Sequence, residues 1–276
     1  QQPPILPPAL RSPQLANRLS RLVEPLAIDK YNGDTAINGL LALAGVSSAI
    51  FVPVVWQSEL YAVIVVGSDS EVLPQSLRAS SDLTINERLK GVANIAAPVL
   101  RNALLLAQVQ YEALHDQTTG LPNTRLLQDE IVRALSHAER QGNQAAILFV
   151  DLDNFSQVND SLGHVAADDV LRATGMILRS AVRRGDVVAR LAGDQFAVLL
   201  PNVRGEEDAK LVAYKVIRAL EIPFNDFDQV VSISASVGIA VYPDHGTSYD
   251  ELLGRSDIAM RRAKAGGGDR LVIFSS

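Results

Sequence analysis

The sequence predicts a mixed α/β (α+β) protein of two domains. Three observations carry that expectation. The chain has 276 residues, about the length of two ordinary domains. Past residue 120, helix-like and strand-like segments alternate regularly. Before it, two β-rich runs are followed by one long helical pattern.

In order along the chain, residues 1–14 form a Pro-rich lead-in that reads as extended. It lacks the charged-then-apolar form of a signal peptide and is compatible with an internal piece of a longer protein. Residues 10–28 read as a helix followed by a turn. Residues 46–55 and 59–66 read as strands, with Trp56-Gln57-Ser58 between them as a hairpin. Residues 68–84 are rich in Ser, Asp and Pro and read as loop. Thr84-Ile85-Asn86-Glu87 is a capping box, in which hydroxyl and carboxylate reciprocally satisfy orphan amides. A long helix is expected from there to about His115, kinked or split at Pro98. Leu89, Val92, Ala96, Val99, Ala103, Leu106, Gln110 and Ala113 recur along it at spacings of three and four. That narrow seam suits the pairing of two helices. Its first half also reads as a cover for the preceding strands.

Beyond Gly120-Leu121-Pro122-Asn123, helices are expected at 124–140, 166–182, 206–220 and 249–265. Strands are expected at 145–151, 187–191, 195–200, 230–242 and 270–274. The 145–151 run is almost wholly apolar, as in a strand buried on both faces. The βαββαβ order implies one central sheet with helices packed on it.

Composition narrows the function. A net charge of −6 argues against a general nucleic-acid binder. Zero cysteines exclude disulfides and thiolate metal sites, which fits a cytoplasmic chain. The strongest apolar runs, 49–56 and 61–67, are strand-sized, so no membrane span is expected. Trp56 reads as sheet packing, and His137 and His245 as surface residues.

Asp151 and Asp153 fall at a strand end with one residue between them, so both point to one face if the chain stays extended. Mg²⁺ takes oxygen ligands, usually one or two carboxylates plus phosphates and waters. Asp151 and Asp194 supply such a pair if the 187–200 hairpin lies beside the strand. Taken alone, Asp-x-Asp at a strand end also reads as a turn or helix cap.

The wider pattern resembles the GGDEF family, the diguanylate cyclases. Asp151-Leu152-Asp153-Asn154-Phe155, Asn159-Asp160, Gly163-His164 and Asp168 recur at that family's spacing. Arg190-Leu191-Ala192-Gly193-Asp194-Gln195-Phe196 resembles its signature hairpin. His115 to Asn123 is similar to its opening. Ser236-Val237-Gly238-Ile239-Ala240 and Asp257-Ile258-Ala259-Met260, with Lys264, resemble its closing segments. The likeness covers residues 115–274.

The resemblance implies a cyclase-type palm, with a mostly antiparallel central sheet flanked by helices. It implies that Asp151, Asp194 and the Leu152 carbonyl hold Mg²⁺. Amides around Asn154 and Phe155 would cradle phosphate. Asn159 and Asp168 would bond the guanine edge, with His164 close to the nucleotide, and Lys264 would meet the terminal phosphates. The family joins two GTP molecules into cyclic di-GMP, one GTP per domain, so the reaction needs two domains face to face. Arg183 and Asp186 fall at the spacing of the family's inhibitory cyclic di-GMP site. Arg-x-x-Asp is also common as a helix-end ion pair.

The chain departs from that pattern. Gln195 stands where the family has Glu, and an amide cannot serve as a base. Ala192 replaces a Gly, Ser156 a Lys, Gly268 a phosphate-binding Arg and Ala167 a Gly. Thr118 and Thr124 replace an apolar residue and an Arg. Metal and guanine positions remain while two cations near the triphosphate are gone.

Residues 15–114 resemble the later part of a GAF domain, carried by 46–54, 59–67 and the long helix. The expected first helix and strands of that family are not recognisable. No cysteine is available for a bilin thioether, and no His precedes His115 for haem ligation. The organisation expected is a lead-in over 1–14, a GAF-like sensory or dimerisation domain over 15–114 and a GGDEF domain over 115–276. The function expected is a regulatory module that binds GTP or cyclic di-GMP. A homodimer is expected, and a cyclic di-GMP phosphodiesterase as a fused or associated partner. An active cyclase and a ligand-free dimerisation scaffold are the alternatives.

Overall fold

The computed structural model describes residues 25–29, 38, 41, 45–69, 83–221 and 233–275. The Pro-rich lead-in, most of the expected 10–28 helix, most of the 68–84 loop and the first residues of the 230–242 strand lie outside them. So does the Thr84 side chain on which the capping box depends. The chain divides into two compact units, 1–109 and 110–276.

In the first unit, β1 (Leu26–Asp29), β2 (Ser48–Trp56) and β3 (Glu59–Ser68) form an antiparallel sheet in the order β1-β2-β3. Residues 26–28 are therefore strand, where a helix end and turn were expected. The β2–β3 hairpin turns at Gln57 and Ser58, both with positive φ. Helix α1 (Leu83–Leu114) runs through Pro98 without a break. Pro removes only the bond to the carbonyl of Asn94, an exposed residue whose carbonyl water can reach. Ala93 and Ala97 of α1 are buried against Ile50, Val52 and Val54 of β2, with Leu89 and Ala96 alongside. Trp56 packs at this cluster, with the Arg101 guanidinium 5.7 Å from its ring.

The rest of the expected seam faces outward. Val92, Val99 and Leu106 are exposed, together with Ile95, Leu104, Leu105 and Val109. The stretch Glu87–Leu114 is long and apolar enough to cross a membrane by length and composition. This corrects the expectation that no stretch is long and apolar enough to span a bilayer. Interleaved Ala, Asn and Gln shorten each apolar run to the eye without making the helix polar as a whole.

The second unit contains α2 (Thr124–Gln141), β4 (Gln144–Leu152), α3 (Phe155–Ala181), β5 (Val187–Ala192), β6 (Gln195–Val203), α4 (Glu206–Leu220), β7 (Ala235–Tyr242), α5 (Tyr249–Ala265) and β8 (Arg270–Ile273). Its sheet order is β5-β6-β4-β7-β8, antiparallel except for the β7–β8 pair. β4 lies at the centre, which explains its apolar run. Leu148, Val150 and Leu152 pack toward α3 and α4. Ala145 and Ile147 pack toward α2 and α5. Each fully buried Leu, Val or Ile among them contributes roughly 1.5–3 kcal/mol.

Helix α3 begins eleven residues earlier than the expected 166. Asn154 enters it in the left-handed conformation, and Gly163 (φ 81°, ψ 169°) breaks it into two halves. Those two residues disguise the first half as loop. Gly238 has a packing role, since a Cβ there would lie 2.0 Å from the Ser256 carbonyl and 2.2 Å from the Met260 amide. Only a glycine lets α5 cross β7 so closely. His245 is half-buried rather than a surface residue. Its Nδ1 accepts the Val241 amide at 3.0 Å, and its ring meets Phe274 edge-on. His137 is exposed.

Candidate active site

The site forms where β4 runs out beside the β5–β6 hairpin. Asp151 pairs in register with Gln195 across β4 and β6 and with Ser236 across β4 and β7. Its side chain therefore lies on the α5 face of the sheet. Asp151 is only 4% exposed, so its charge must be met by protein groups or a cation. Lys264 Nζ, from the last turn of α5, donates to Oδ1 at 2.5 Å. Gln195 Nε2 donates to Oδ2 at 3.2 Å. Burial works against the Lys264 charge, but the bond and charge of Asp151, then Asp194 and Asp153, outweigh it and raise its pKa.

Asp194 occupies the hairpin turn. Burial, then the charge of Asp151, pushes its carboxyl above the ordinary value. Asp194 and Lys264 line a cavity of about 510 Å³ with Leu152, Asn154, Phe155 and Gly268. One wall is the start of α3. The amides at the first turn of a helix lack intrahelical acceptors and point outward, so this wall can meet an anion. The opposite wall is the turn after α5.

The predicted residues thus divide. Asp194, Lys264, Leu152, Asn154 and Phe155 share this cavity, with Asp151 buried behind Lys264. Asn159, His164 and Asp168 lie along α3, on either side of its break at Gly163, and do not line the cavity. His164 is exposed, and Asn159 and Asp168 are half-buried. Gln195 lines a second cavity of about 320 Å³ with Phe149, Leu253 and Asp257.

Asp153 lies on the same face as Asp151. Its amide donates to the Ser234 carbonyl at 2.9 Å, which carries the β4–β7 register one residue past Leu152. Its carboxylate lines the cavity and accepts the hydroxyls of Ser234 and of Ser236, the residue opposite Asp151.

Sequence reasoning also passed over a link between the opening segment and the signature turn. Arg190 donates to Asp116 Oδ1 at 3.0 Å and, through Nε and Nη2, to the Gly193 carbonyl at 3.0 and 2.8 Å. Burial alone raises the Asp116 carboxyl, but its bonds from Thr119 and then the Arg190 guanidinium hold it below the ordinary range. Asn123 ties the helices before and after that segment. Its side-chain oxygen caps α2 while Nδ2 donates to the Ala113 carbonyl of α1. Thr124, at the position of the missing Arg, donates to the Leu191 carbonyl at 3.3 Å. Asp116 and Arg190 are 74 residues apart, and no spacing rule connects them.

The Arg183–Asp186 turn is closed on itself. Asp186 is 3% exposed, and its Oδ2 accepts the Arg183 amide at 3.0 Å. The Arg183 side chain is largely exposed and donates to the Asn202 carbonyl at 3.1 Å. Beside it is a cavity of about 450 Å³, lined by Leu121, Pro122, Arg179, Arg184 and Asp186.

The donor set suits a divalent cation. Two carboxylates close enough for one to raise the other's pKa, with a backbone carbonyl beside them, are hard oxygen ligands. Among the described residues there is no cluster of three or more His, Cys, Asp or Glu side chains suited to a metal. Gln195 stands where a third acid would complete one.

Residues 113–270, more than half of the chain, match the family model described as diguanylate cyclase, GGDEF domain. The chain belongs to the GGDEF family. It is 41% identical over 159 residues to the diguanylate cyclase TpbB of Pseudomonas aeruginosa, covering 57% of this chain and 37% of TpbB. It is 42% identical over 164 residues to MucR of the same species, a bifunctional diguanylate cyclase/cyclic di-GMP phosphodiesterase, covering 59% of this chain and 24% of MucR. The chain thus spans little more than a third of one relative and just under a quarter of the other. The crystal structure of the TpbB GGDEF domain superposes with a TM-score of 0.56 at 38% identity, covering 57% of this chain and 99% of that one. The GGDEF fold, with its central sheet flanked by helices, is that of the second unit.

Proposed function

We propose that the chain is a nucleotide-responsive module of cyclic di-GMP signalling, whose GGDEF domain binds GTP with Mg²⁺ and turns it over slowly or not at all. The observation that carries this reading is the state of Asp151. One of its oxygens is held by Lys264 and the other by the Gln195 amide. A Glu at 195 would bring a second negative charge against Asp151 and demand a second cation. Gln brings a donor instead and lowers that demand.

Asp151, Asp194 and the Leu152 carbonyl are the residues that would hold the cation. When bound, it would act as a Lewis acid toward the α-phosphate and the leaving pyrophosphate. Lys264 would pass from Asp151 to the terminal phosphates, and the α3 amides would orient the anion. Without cations at 156 and 268, transition-state charge meets fewer clamps, each worth roughly tenfold to a thousandfold in rate. Asn159 and Asp168, with no side-chain bond among the described residues, are free to meet the guanine edge.

Further parts of the proposal concern the rest of the chain. The N-terminal unit is a GAF-like sensor, and the exposed row Val92, Val99 and Leu106 of α1 is the seam of a homodimer. Its spacing of seven supports that. Arg183, Asp186 and the cavity beside them form a second site, for cyclic di-GMP. A phosphodiesterase domain, fused or associated, receives the output, as the composition of MucR illustrates. A GTP ligand supports a cytoplasmic location for the module.

The test is incubation of the purified chain with GTP and Mg²⁺, with products separated by chromatography and melting followed in parallel. The expected result is a melting temperature raised by GTP, as for any ligand that binds only the folded state, with little or no cyclic di-GMP. Substantial product that vanishes in Asp194→Ala would establish a working cyclase instead. That second reading is favoured by the presence of Asp151, Asp194 and Lys264 at one site. No thermal response to any guanine nucleotide at millimolar concentration would leave the scaffold reading.

A further inference from the structure

Asp153 has no role in the reading so far, yet it is the most heavily bonded carboxylate at the site. Its amide donates to the Ser234 carbonyl at 2.9 Å. Its Oδ1 accepts the Ser236 hydroxyl at 2.8 Å. Its Oδ2 accepts the Ser234 hydroxyl at 2.8 Å and the Asp269 amide at 2.9 Å. One side chain thus joins the end of β4, the start of β7 and the turn between α5 and β8.

That turn is the Gly-rich wall of the cavity. The amides of Gly266, Gly267 and Gly268 fold back onto carbonyls of Arg262, Lys264 and Ala263. Only the Asp269 amide reaches out of the turn, and it goes to Asp153. Gly268 has φ +73°, and a Cβ there would lie 2.9 Å from Asp153 Oδ2 and 3.0 Å from its Cγ. The carboxylate and the bare glycine backbone are interlocked.

We infer that Asp153 is the positioning residue of the nucleotide cavity: it locks the Gly266–Gly268 turn against the sheet and thereby sets where Lys264 leaves α5. Asp151 and Asp153 then share a task from two ends. The first holds the Lys264 ammonium, and the second holds the turn that follows its backbone. Gly268 fits the lock as it stands in this chain, because a Cβ added here would press on the carboxylate and require it to shift. The nucleotide half of this inference rests on the GTP reading above. The lock itself does not.

The test is hydrogen exchange on the nucleotide-free chain, with GTP affinity measured by calorimetry on the same variants. Asp153→Ala is expected to speed exchange at residues 267–270 by about tenfold or more while the amides of β4 and β6 stay protected. It should weaken GTP binding by about tenfold, the scale of one lost charge-assisted hydrogen bond. Asp153→Asn should recover most of both effects. A serine hydroxyl can rotate to accept from the new amide, while the remaining oxygen keeps the Asp269 bond. Gly268→Ala should loosen the same amides in the native chain and do clearly less in the Asp153→Ala background, since the atoms it strikes are gone. Unchanged exchange in Asp153→Ala, strictly additive effects, or deprotection spread over the whole sheet would each overturn the lock. Failure of the native chain to bind GTP would defeat the nucleotide reading alone, and the exchange pattern would still decide the lock.

Discussion

Asp151 and Asp186 are equally buried, at 4% and 3% exposure, and both sit at a strand end in a motif with a ligand-binding reading. Their partners differ. Asp151 is held by two side chains, the Lys264 ammonium and the Gln195 amide. Asp186 is held first by a backbone amide, that of Arg183 at 3.0 Å, with the exposed Arg183 guanidinium farther off at 3.6 Å. A side chain can swing away when a ligand or cation arrives, and Lys264 is partly exposed and free to do so. A backbone amide inside a tight turn cannot. The first carboxylate is therefore poised for exchange. The second is first of all a structural acceptor, and any ligand at that turn must be met mainly by the exposed Arg183.

The largest effect should come from removing the exchangeable partner. Lys264→Ala leaves Asp151 buried without its cation. Breaking a fully buried pair costs about 3–5 kcal/mol, and the partial exposure of Lys264 brings the expected loss nearer to about 2 kcal/mol. GTP affinity should fall at least about tenfold. Mg²⁺ without nucleotide should raise the melting temperature of this variant more than that of the native chain, because a metal can take the vacated place. Urea titration measures the loss of stability, and thermal melting with and without Mg²⁺ measures the metal response. An equal Mg²⁺ response in the two chains would deny that Asp151 is open to exchange.

At the other carboxylate the order should invert between stability and binding. Asp186→Ala removes the acceptor of the part-buried Arg183 amide and should cost about 1–2 kcal/mol. Arg183→Ala should cost less than about 1 kcal/mol, since its side chain is exposed. Cyclic di-GMP affinity, read by calorimetry, should nonetheless fall more in Arg183→Ala. If Arg183→Ala proves the more destabilising, the closed turn has been misread.

The smallest effect concerns pH. The folded Asp194 carboxyl is raised above the ordinary 3.8 by burial and then by Asp151. The folded chain therefore holds this proton more tightly than the unfolded chain. That contribution to stability is present at low pH and is lost as pH rises through the raised value. At neutral pH Asp194 costs stability, which a bound cation would relieve. Asp194→Asn should raise the melting temperature slightly at pH 7 and flatten its fall with pH just above 3.8. A lower melting temperature at pH 7 would contradict the crowding of the two carboxylates.

Much of this architecture is legible without coordinates. The expected 206–220 and 249–265 helices and the 187–200 hairpin agree with α4, α5, β5 and β6 to within a few residues at the ends. Those elements declare themselves through periodicity and turn chemistry, which act within a few residues. The first half of α3 does not, because Asn154 and Gly163 carry loop chemistry into a helix. The α1 seam is a mixed case. Its spacing was readable, but the structure was needed to see that Ala93 and Ala97 cover the sheet while Val92, Val99 and Leu106 remain exposed.

By itself, the sequence determined the family, the order of elements and which acids and cations stand at the strand ends. Only the tertiary structure decided what each of them touches. Asp151 meets Lys264 across 113 residues, Asp116 meets Arg190 across 74, and Asp153 reaches Asp269 across 116. Local spacing can say which face of an element a side chain takes. Whether a carboxylate there finds an ammonium, a hydroxyl or a backbone amide depends on how distant segments pack, and that pairing sets whether its charge is available to a ligand.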